Sequence, residues 1–360
     1  MRIILFIDNL GPGGAQRQLV GLAVMLKNKG YDVRVCCYQN NSFYSKILID
    51  NEVPYIIIPN SNNHKKRIFV VARYFRKNNP NWVISYQETP SLVACLAKMF
   101  GGRFHLLVSE RNTTQIIKVK DRIRFLLYRV ADCIVPNSFS QGDFISTNYP
   151  SLKHKVNVIT NFVDLKRFPA AKKNKKKPPL IIIVASVWAP KNTLNFIRAV
   201  SILKKRGRNA KFEWYGLVDE KSGINTAYQK DCFDLMKELH VVDTLSLLPK
   251  TNQIEDKYKE ADYFCLPSFY EGTPNVICEA MACGCPVICS DVCDNGRYVK
   301  EGTNGFLFNP LSPDDMADKI EKALSISDDM YEKYCINSRD LAETMLSEEK
   351  FINSYLDIIK

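Results

Sequence analysis

Residues 266–299 read LPSFYEGTPNVICEAMACGCPVICSDVCDNGRYV, and their pattern predicts a strand, a short loop, a helix and a second strand. The apolar run before Glu271 is of buried-strand type. Pro274 presets φ for the first turn of a helix, and Gly284 follows the apolar segment as glycines do at helix ends. A strand, a crossover helix and a second strand form a βαβ unit, so this stretch predicts a parallel α/β sheet.

Two carboxylates flank the start of the predicted helix. Glu271 follows the strand, where open α/β sheets place their ligands, and Glu279 lies about one turn inside the helix. The first N–H groups of a helix, here those of Asn275 and Val276, favour an anion such as a diphosphate. Most helix starts bind nothing, but two acidic residues beside an anion site require hydroxyl groups or a cation as partners. The pattern therefore favours ligand binding, with ribose hydroxyls as suitable partners of Glu279.

The same alternation of strands and helices runs along the whole chain in two series. The first series opens with the strand 2–8, a Gly-rich loop at 9–14 and a helix from Ala15, and it ends with the strand-like run KVNVIT at 155–160. The segment AAKKNKKKPP at 170–179 is basic and lacks apolar periodicity, which is typical of a linker. We therefore predict an α/β protein with two doubly wound, Rossmann-like domains facing across a cleft. The predicted boundaries are 1–170 for the first domain, 171–179 for the linker, 180–345 for the second domain and 346–360 for a helix that crosses back to the first domain.

Composition and charge exclude several classes of protein. The 360 residues are 46% hydrophobic and 24% charged, as in globular proteins, and no apolar run approaches the roughly 20 residues that span a bilayer. Residues 1–177 carry 29 Lys+Arg and 10 Asp+Glu, a net charge of +19, whereas the remainder carries −7. Such asymmetry indicates a half that meets a polyanion or an anionic membrane, although a solvated surface explains it as well. The cysteines lie mostly in apolar runs without CxxC spacing, so we expect reduced thiols in the cytoplasm and no zinc site.

The segment EGTPNVICEAMACGCPV at 271–287 resembles the Glu-x7-Glu signature of retaining glycosyltransferases with the GT-B fold, and more narrowly that of the bacterial members of glycosyltransferase family 4. GPGGAQRQLVGLA at 11–23 resembles the N-terminal Gly-Gly loop and helix of that family. NSFS at 137–140 and ITNFVDLKRF at 159–168 resemble its crossover strands. VASVWAPKN at 184–192 resembles the first strand and loop of its nucleotide domain. The order of these matches along the chain makes the resemblance specific.

The resemblance implies transfer of a sugar from a nucleotide sugar, with UDP as the default, to a glycan or lipid-linked saccharide in cell-surface polysaccharide biosynthesis. Glu271 would contact hydroxyls of the transferred sugar, Glu279 the ribose, and Lys191 the diphosphate. The other donor-binding groups would be backbone groups of Gly272, Thr273, Pro274, Asn275 and Val276, together with Gly13 and Gly14 of the first domain. The resemblance implies no cofactor and no metal ion, and the sequence contains no DxD motif.

Three positions depart from the family pattern. Ser186 stands where an arginine is common, so phosphate stabilisation would depend more on Lys191 or on another cation such as Arg111. Gln16 stands where glutamate is usual, which removes one charge from the Gly-Gly loop. The run VSERN lacks a histidine that many relatives carry, which leaves Glu110 and Arg111 as candidates on the acceptor side.

The basic first domain would bind the acceptor in this architecture. The segment KVKDRIRFLLYRV at 118–130 mixes basic and apolar residues, and HKKR at 64–67 adds charge of the same sign. Apolar residues of such a helix belong more often to a core than to a membrane contact. Peripheral attachment to the cytoplasmic face of the inner membrane, next to a lipid-linked acceptor, is nevertheless a consistent interpretation.

Three other classes of protein share part of this pattern. A GT-B sugar-nucleotide epimerase would share the fold, but not the combination of Lys191 with Glu-x7-Glu. A nucleic-acid-binding protein would share the charge, but no recognisable reading module is present, so we expect no nucleic acid partner. A glycoside hydrolase would use both glutamates, but the anion site at the helix start would have no role in its reaction.

Overall fold

The alternation of strands and helices predicted from the sequence is present in the computed structural model, which describes residues 1–63, 66–114, 116–217 and 226–360. The chain forms two units, one of residues 1–162 with 348–360 and one of residues 163–347. Each unit contains one six-stranded sheet, and the described strand pairs of both sheets are parallel. The predicted α/β class is therefore confirmed.

The first unit builds its sheet from strands that are mostly buried on both faces, apart from the partly exposed strand Tyr55–Ile57 at one edge. The strands are β1 (Arg2–Phe6), β2 (Asp32–Cys37), β3 (Tyr55–Ile57), β4 (Trp82–Tyr86), β5 (His105–Glu110) and β6 (Cys133–Pro136). The helices are α1 (Gly14–Asn28), α2 (Ser45–Asp50), α3 (Arg67–Asn78), α4 (Glu88–Met99), α5 (Val119–Leu127) and α6 (Phe139–Asn148). Successive residues of β1 point to opposite faces, so Leu5 packs with Leu22 of α1, whereas Phe6 packs with Phe75 of α3.

The second unit repeats this construction. Its strands are β7 (Leu180–Val184), β8 (Lys211–Leu217), β9 (Leu245–Pro249), β10 (Tyr263–Leu266), β11 (Val287–Ser290) and β12 (Gly305–Phe308). Its helices are α7 (Thr193–Lys205), α8 (Thr226–Glu238), α9 (Ile254–Glu260), α10 (Asn275–Ala282), α11 (Asn295–Tyr298), α12 (Pro313–Ser325) and α13 (Asp328–Leu346). Two apolar clusters cover the two faces of this sheet as well.

Both sheets have the same strand order when the strands are counted within each unit. The orders are β3-β2-β1-β4-β5-β6 and β12-β11-β10-β7-β8-β9. The direction of winding reverses between β1 and β4 in the first sheet and between β7 and β10 in the second. Open α/β sheets bind ligands outside the carboxyl ends of the strands at such a switch point. In each unit, the residues that follow these two strands are therefore the ones that the fold brings to such a crevice.

Three segments differ from the simplest interpretation of the sequence. The run at 155–160 contributes one isolated bridge between Ile134 and Val156 and does not form a strand, so that prediction was wrong. Residues 171–179, predicted as a linker, belong to the second unit, where Lys173 Nζ donates to Ala261 O (2.8 Å) and Lys175 Nζ to Leu324 O (2.7 Å). The last helix, α14 (Glu348–Ile359), belongs to the first unit and buries one face in its core.

Among the described residues, no helix has the length and apolarity needed to cross a bilayer. The basic segment at 64–67 begins with His64 and Lys65, which lie outside the described residues.

Candidate active site

Lys191 and Glu271 meet at the switch point of the second sheet. Lys191 ends a short 3-10 turn that follows β7, and Glu271 lies in the loop that follows β10. Because β7 and β10 are neighbouring parallel strands, these two loops leave the sheet side by side. Lys191 Nζ lies 2.6 Å from Glu271 Oε1, and the two side chains are 26% and 12% exposed. The fold thus places a cation and a carboxylate together in a partly shielded crevice.

Asn192 holds the loop that carries Lys191. Its backbone has φ +63°, in the left-handed region that asparagine tolerates better than most residues. Its side-chain Nδ2 donates to Pro267 O (2.9 Å) and to Pro310 O (2.7 Å). The backbone N–H of Phe269 also donates to Pro190 O (3.0 Å), so the loops after β7 and β10 are joined at two places. Sequence analysis did not single out Asn192. An asparagine at the start of a predicted helix was the one feature that could have indicated its role.

The start of α10 lies immediately after Glu271. Pro274 is the N-cap with φ −77°, and its carbonyl accepts from Ile277 N (3.0 Å) and Cys278 N (3.2 Å). The amides of Asn275 and Val276 come before these first intrahelical bonds, at the positive end of the helix dipole. Gly272 is half-buried, and the buried Thr273 has its hydroxyl 3.4 Å from Tyr298 OH. Backbone donors therefore lie next to the Lys191–Glu271 pair.

Glu279 lies inside α10 and is only 4% exposed. Tyr258, which is fully buried, donates its hydroxyl to Glu279 Oε2 at 3.0 Å. An ionised carboxylate can accept about four hydrogen bonds. The tyrosine thus orients the carboxylate within α10. Sequence analysis missed Tyr258 because no motif links α9 to α10; Tyr258 and Glu279 become neighbours only in the folded unit.

Ser186 occupies the position where an arginine was the family expectation. It lies just past β7, and the backbone on either side of it is held by β8, through Ala185 N to Tyr215 O and Val187 N to Gly216 O, both 3.1 Å. A Cβ on Gly216 would lie 1.9 Å from Ala185 O, so only glycine permits this approach. The cation that the structure brings to the switch point is Lys191.

Glu110 lies in the core of the first unit. It is 1% exposed, accepts from Tyr128 OH, and lies 3.6 Å from Arg124 Nη1 and 3.5 Å from Gln141 Nε2. Burial raises the pKa of this carboxyl, although Arg124 and Tyr128 act in the opposite direction. The carboxylate is thus engaged by side chains of its own unit.

Arg111 is held by the residues around the end of β5. Its guanidinium lies 3.8 Å from the centroid of the Tyr86 ring and donates to Asn161 Oδ1 (2.9 Å) and Tyr355 OH (2.8 Å). Tyr355 belongs to α14, so this arginine connects the last helix to the sheet of the first unit. Glu110 and Arg111 belong to the first unit, whereas Lys191 belongs to the second.

Gly13 and Gly14 begin α1 in the first unit. Gly13 is the N-cap, and Gly14 is the first helical residue. A Cβ on Gly13 would lie 2.2 Å from Gln16 Oε1, so the position of the Gln16 amide depends on glycine here. Two residues that sequence analysis missed, Asp8 and Gln87, lie next to this loop at the switch point of the first sheet.

Comparisons with known families cover nearly the whole chain. The model for Glycosyltransferase Family 4 matches residues 12–167, and that for Glycosyl transferases group 1 matches residues 165–340. The chain belongs to the family 4 glycosyltransferases. The family 4 resemblance noted from the sequence is therefore confirmed, and the GT-B fold with it.

Relatives and solved structures agree with this assignment. The N-acetylgalactosamine-N,N'-diacetylbacillosaminyl-diphospho-undecaprenol 4-alpha-N-acetylgalactosaminyltransferase of Campylobacter jejuni is 26% identical over 80% of each chain. The UDP-Gal:alpha-D-GlcNAc-diphosphoundecaprenol alpha-1,3-galactosyltransferase of Escherichia coli is 29% identical over 49% of this glycosyltransferase and 46% of its own length. The structure of Anabaena Alr3699/HepE in complex with UDP has a TM-score of 0.85 at 16% identity, covering 100% of this chain and 99% of that chain.

Proposed function

We propose that this glycosyltransferase transfers a sugar from a UDP-sugar to a saccharide linked to a lipid diphosphate, in the biosynthesis of a bacterial surface polysaccharide. The transfer retains the anomeric configuration and needs no metal ion. The observation that carries the proposal is the 2.6 Å ion pair of Lys191 and Glu271 beside the start of α10. The named donor of the Escherichia coli relative and the diphospho-undecaprenol acceptors of both relatives support the choice of donor and acceptor.

The charge that develops during the reaction explains the arrangement. When the bond between the anomeric carbon and the diphosphate breaks, negative charge increases on the departing phosphate oxygens. The Lys191 ammonium and the first amides of α10 stabilise this charge, and they do so from fixed positions, without reorganising in the transition state. A metal ion is then not required for the departure of the leaving group.

The two glutamates divide the recognition of the donor. Glu271 accepts hydrogen bonds from hydroxyls of the transferred sugar, next to the Lys191 ammonium that faces the diphosphate. Glu279, oriented by Tyr258, accepts from the ribose hydroxyls. Backbone groups from Gly272 to Val276 contact the sugar and phosphates between them.

Replacement of the ion pair tests the assignment. We expect Lys191→Ala and Glu271→Ala each to lower kcat at least about a hundredfold, the loss typical of one preorganised electrostatic contact. Lys205→Ala, at an exposed position on α7, is the control for removal of one positive charge. Near-normal rates in both site variants would refute the assignment.

Three measurements test the finer parts of the proposal. A thermal-shift comparison of UDP, GDP and ADP should show the largest stabilisation with UDP. The anomeric configuration of the product, determined by NMR, should equal that of the donor. Turnover should persist in excess EDTA; inversion of configuration, or loss of turnover that is restored by a divalent cation, would contradict the mechanism.

Helix α5 supports a peripheral association with the membrane. Its outward face is apolar, since Val119, Ile123 and Leu126 recur with helical spacing and are 75%, 54% and 59% exposed. Its inward face carries Arg124, which pairs with Glu88 (2.5 Å) and Asp121 (3.2 Å). Two charged residues of α5, Asp121 and Arg124, are therefore buried, while three apolar side chains of the same helix reach the surface.

Basic residues surround this apolar face. Exposed lysines and arginines next to it are Lys118, Lys120, Arg122 and Arg129. Each basic residue close to an anionic lipid surface contributes about 1 kcal/mol. We propose that α5 lies on the cytoplasmic face of the inner membrane, where the lipid-linked acceptor is embedded.

Vesicle flotation tests this association. The wild type should float with phosphatidylglycerol vesicles at low salt and less at high salt, because salt screens the attraction. Ile123→Asp should reduce flotation strongly, whereas Ile336→Asp, at an exposed apolar position of the second unit, should not. Absence of flotation at low salt would exclude this surface.

A further inference from the structure

The switch point of the first sheet carries a cluster of polar side chains. Asp8 follows β1, Gln87 follows β4, and Gln16 lies in the first turn of α1. These positions in the first sheet correspond to those of Lys191 and Glu271 in the second sheet, which follow β7 and β10. Each unit therefore presents interacting polar side chains in the crevice where open α/β sheets bind ligands.

The carboxylate of Asp8 is surrounded by amides. The Gln87 amide, with its nitrogen towards Asp8, donates to Oδ1 (2.9 Å) and Oδ2 (3.2 Å) and accepts from Gln16 Nε2 (3.3 Å). Gln16 Nε2 also lies 3.4 Å from Asp8 Oδ1, and the backbone N–H of Asn9 donates to the same oxygen at 2.7 Å. These partners are neutral, so they do not neutralise the carboxylate; burial raises its pKa, and the hydrogen bonds from Asn9 and Gln16 act in the opposite direction.

The backbone is built to keep the cluster in place. Gln87 has φ +74° and ψ 165°, a conformation that costs a residue other than glycine about 1–3 kcal/mol, and its N–H donates to Ser109 O at 3.1 Å. Such conformations persist where the surrounding structure enforces them, and they concentrate at functional sites. A Cβ on Gly13 would lie 2.2 Å from Gln16 Oε1, so glycine at this position leaves room for the amide where it stands.

We propose that Asp8, Gln16 and Gln87 form a binding site for hydroxyl groups of the acceptor saccharide. A carboxylate accepts from two sugar hydroxyls, and the neighbouring amides both donate and accept. The negative charge disfavours a phosphate or carboxylate at this place, so the ligand is the neutral sugar end of the acceptor rather than its diphosphate. This site rests on the proposed function for the identity of its ligand.

The residue at position 16 determines how many carboxylates the site contains, and so how strongly it disfavours an anionic ligand. With glutamine there, the cluster carries one negative charge; a glutamate would place a second carboxylate about as close to Asp8 Oδ1 as the 3.4 Å amide nitrogen. Two carboxylates in contact share a proton, because one of their pKa values rises strongly. Gln16 therefore adds no second carboxylate beside Asp8, whose pKa burial already raises.

Saturation-transfer NMR tests the site with neutral probes. The full chain, with UDP present, is mixed with the methyl α-glycosides of glucose, galactose, N-acetylglucosamine and N-acetylgalactosamine. We expect saturation transfer to at least one glycoside, and an affinity at least about tenfold lower in Asp8→Asn and in Gln87→Gly, which keeps the left-handed backbone. Asp50→Asn, an exposed carboxylate at the end of α2, is the control. Binding of none of the four glycosides, or equal binding by wild type and Asp8→Asn, would overturn the site.

A second measurement separates this site from the proposed function. UDP affinity, measured by calorimetry, should be the same within about twofold in the wild type and Asp8→Asn, because Lys191, Glu271 and Glu279 belong to the second unit. If neither the wild type nor Asp8→Asn binds UDP, but glycoside binding still depends on Asp8, the proposal of a UDP-sugar donor is refuted and this site is not. Loss of UDP binding in Asp8→Asn alone would overturn the assignment to the acceptor.

Discussion

At the scale of single residues, Lys191 depends on its neighbour Asn192 for its position. Asn192→Ala removes the hydrogen bonds to Pro267 O and Pro310 O and leaves alanine in a left-handed conformation, which costs about 1–2 kcal/mol. Asn192→Gly removes the same hydrogen bonds but adopts this conformation without strain. We expect both variants to lower kcat. Asn192→Ala should also be less stable than Asn192→Gly, because only alanine is strained in this conformation. Thermal unfolding and steady-state rates measure the two effects; unchanged kcat in both would show that Lys191 keeps its position unaided.

The raised pKa of the buried Glu110 carboxyl predicts that the free energy of unfolding depends on pH. Burial raises its pKa above the usual 4.5, so the folded chain holds this proton more tightly than the unfolded chain. The stability that this proton contributes is present below pH 4.5 and is lost as the pH rises through the folded pKa. Relative to the wild type, Glu110→Gln should therefore gain stability with rising pH, by about 1.4 kcal/mol per unit of the pKa difference. Urea unfolding from about pH 4 to about pH 8 measures this, with Asp143→Asn as the exposed control; a constant difference would contradict it.

Sequence reasoning identified Lys191 and Glu271 through a resemblance, and their catalytic roles stay predictions. Their 2.6 Å contact depends on the strand order, because β7 and β10 are adjacent although β8 and β9 lie between them in the chain. Asp8 and Gln87 were missed for the same reason. No motif marks them, and they become neighbours only once β1 and β4 are known to pair.

At the scale of elements, helix periodicity alone did not determine which face of α5 is buried. The segment contains apolar residues on several sides, so a core role was the more common interpretation. The ion pairs of Arg124 with Glu88 and Asp121 decide the orientation, and these partners come from α4 and from α5 itself. The run at 155–160 shows a similar limit: its β-branched residues favour a strand, but Asn157 N and Ile159 N reach the carbonyls of β6 without forming a continuous ladder.

Helix α14 should determine the stability of the first unit. Tyr355 lies in its core, with its hydroxyl 2.7 Å from Tyr86 OH and 2.8 Å from Arg111 Nη2. Tyr355→Phe keeps the ring but removes this hydroxyl, so the cost should be about 1–3 kcal/mol for the polar groups left without it. Asn353→Ala, on the exposed face of the same helix, is the control. Chemical denaturation measures both; equal stability of Tyr355→Phe and wild type would mean that water replaces the hydroxyl at no cost.

At the scale of the whole molecule, the presence of two successive α/β series was predictable because most strands are apolar runs between turn signals, as in β1 and β7. The limits of the units were not. The lysines at 172–177 have the composition of a linker, yet Lys175 donates to carbonyls at the end of α12, where the helix dipole favours a cation. The composition of a segment gives its charge, but it does not show which backbone carbonyl groups its lysines contact in the folded protein.

The reactivity of the cysteines measures whether both units stay folded, because buried thiols lie in each of them. None of the twelve, all within the described residues, forms a disulfide bond, and only Cys293 is exposed. Burial raises the pKa of Cys36 in the first unit and of Cys232 in the second to about 12, so neither forms a reactive thiolate at neutral pH. We therefore expect Ellman's reagent to modify one thiol rapidly in the native protein and all twelve in denaturant. Cys293→Ser should abolish the rapid phase, while Ser140→Ala, which leaves every thiol in place, should not change it. Several rapid thiols in the native protein would mean that a unit opens locally, and their identification by mass spectrometry would locate the opening.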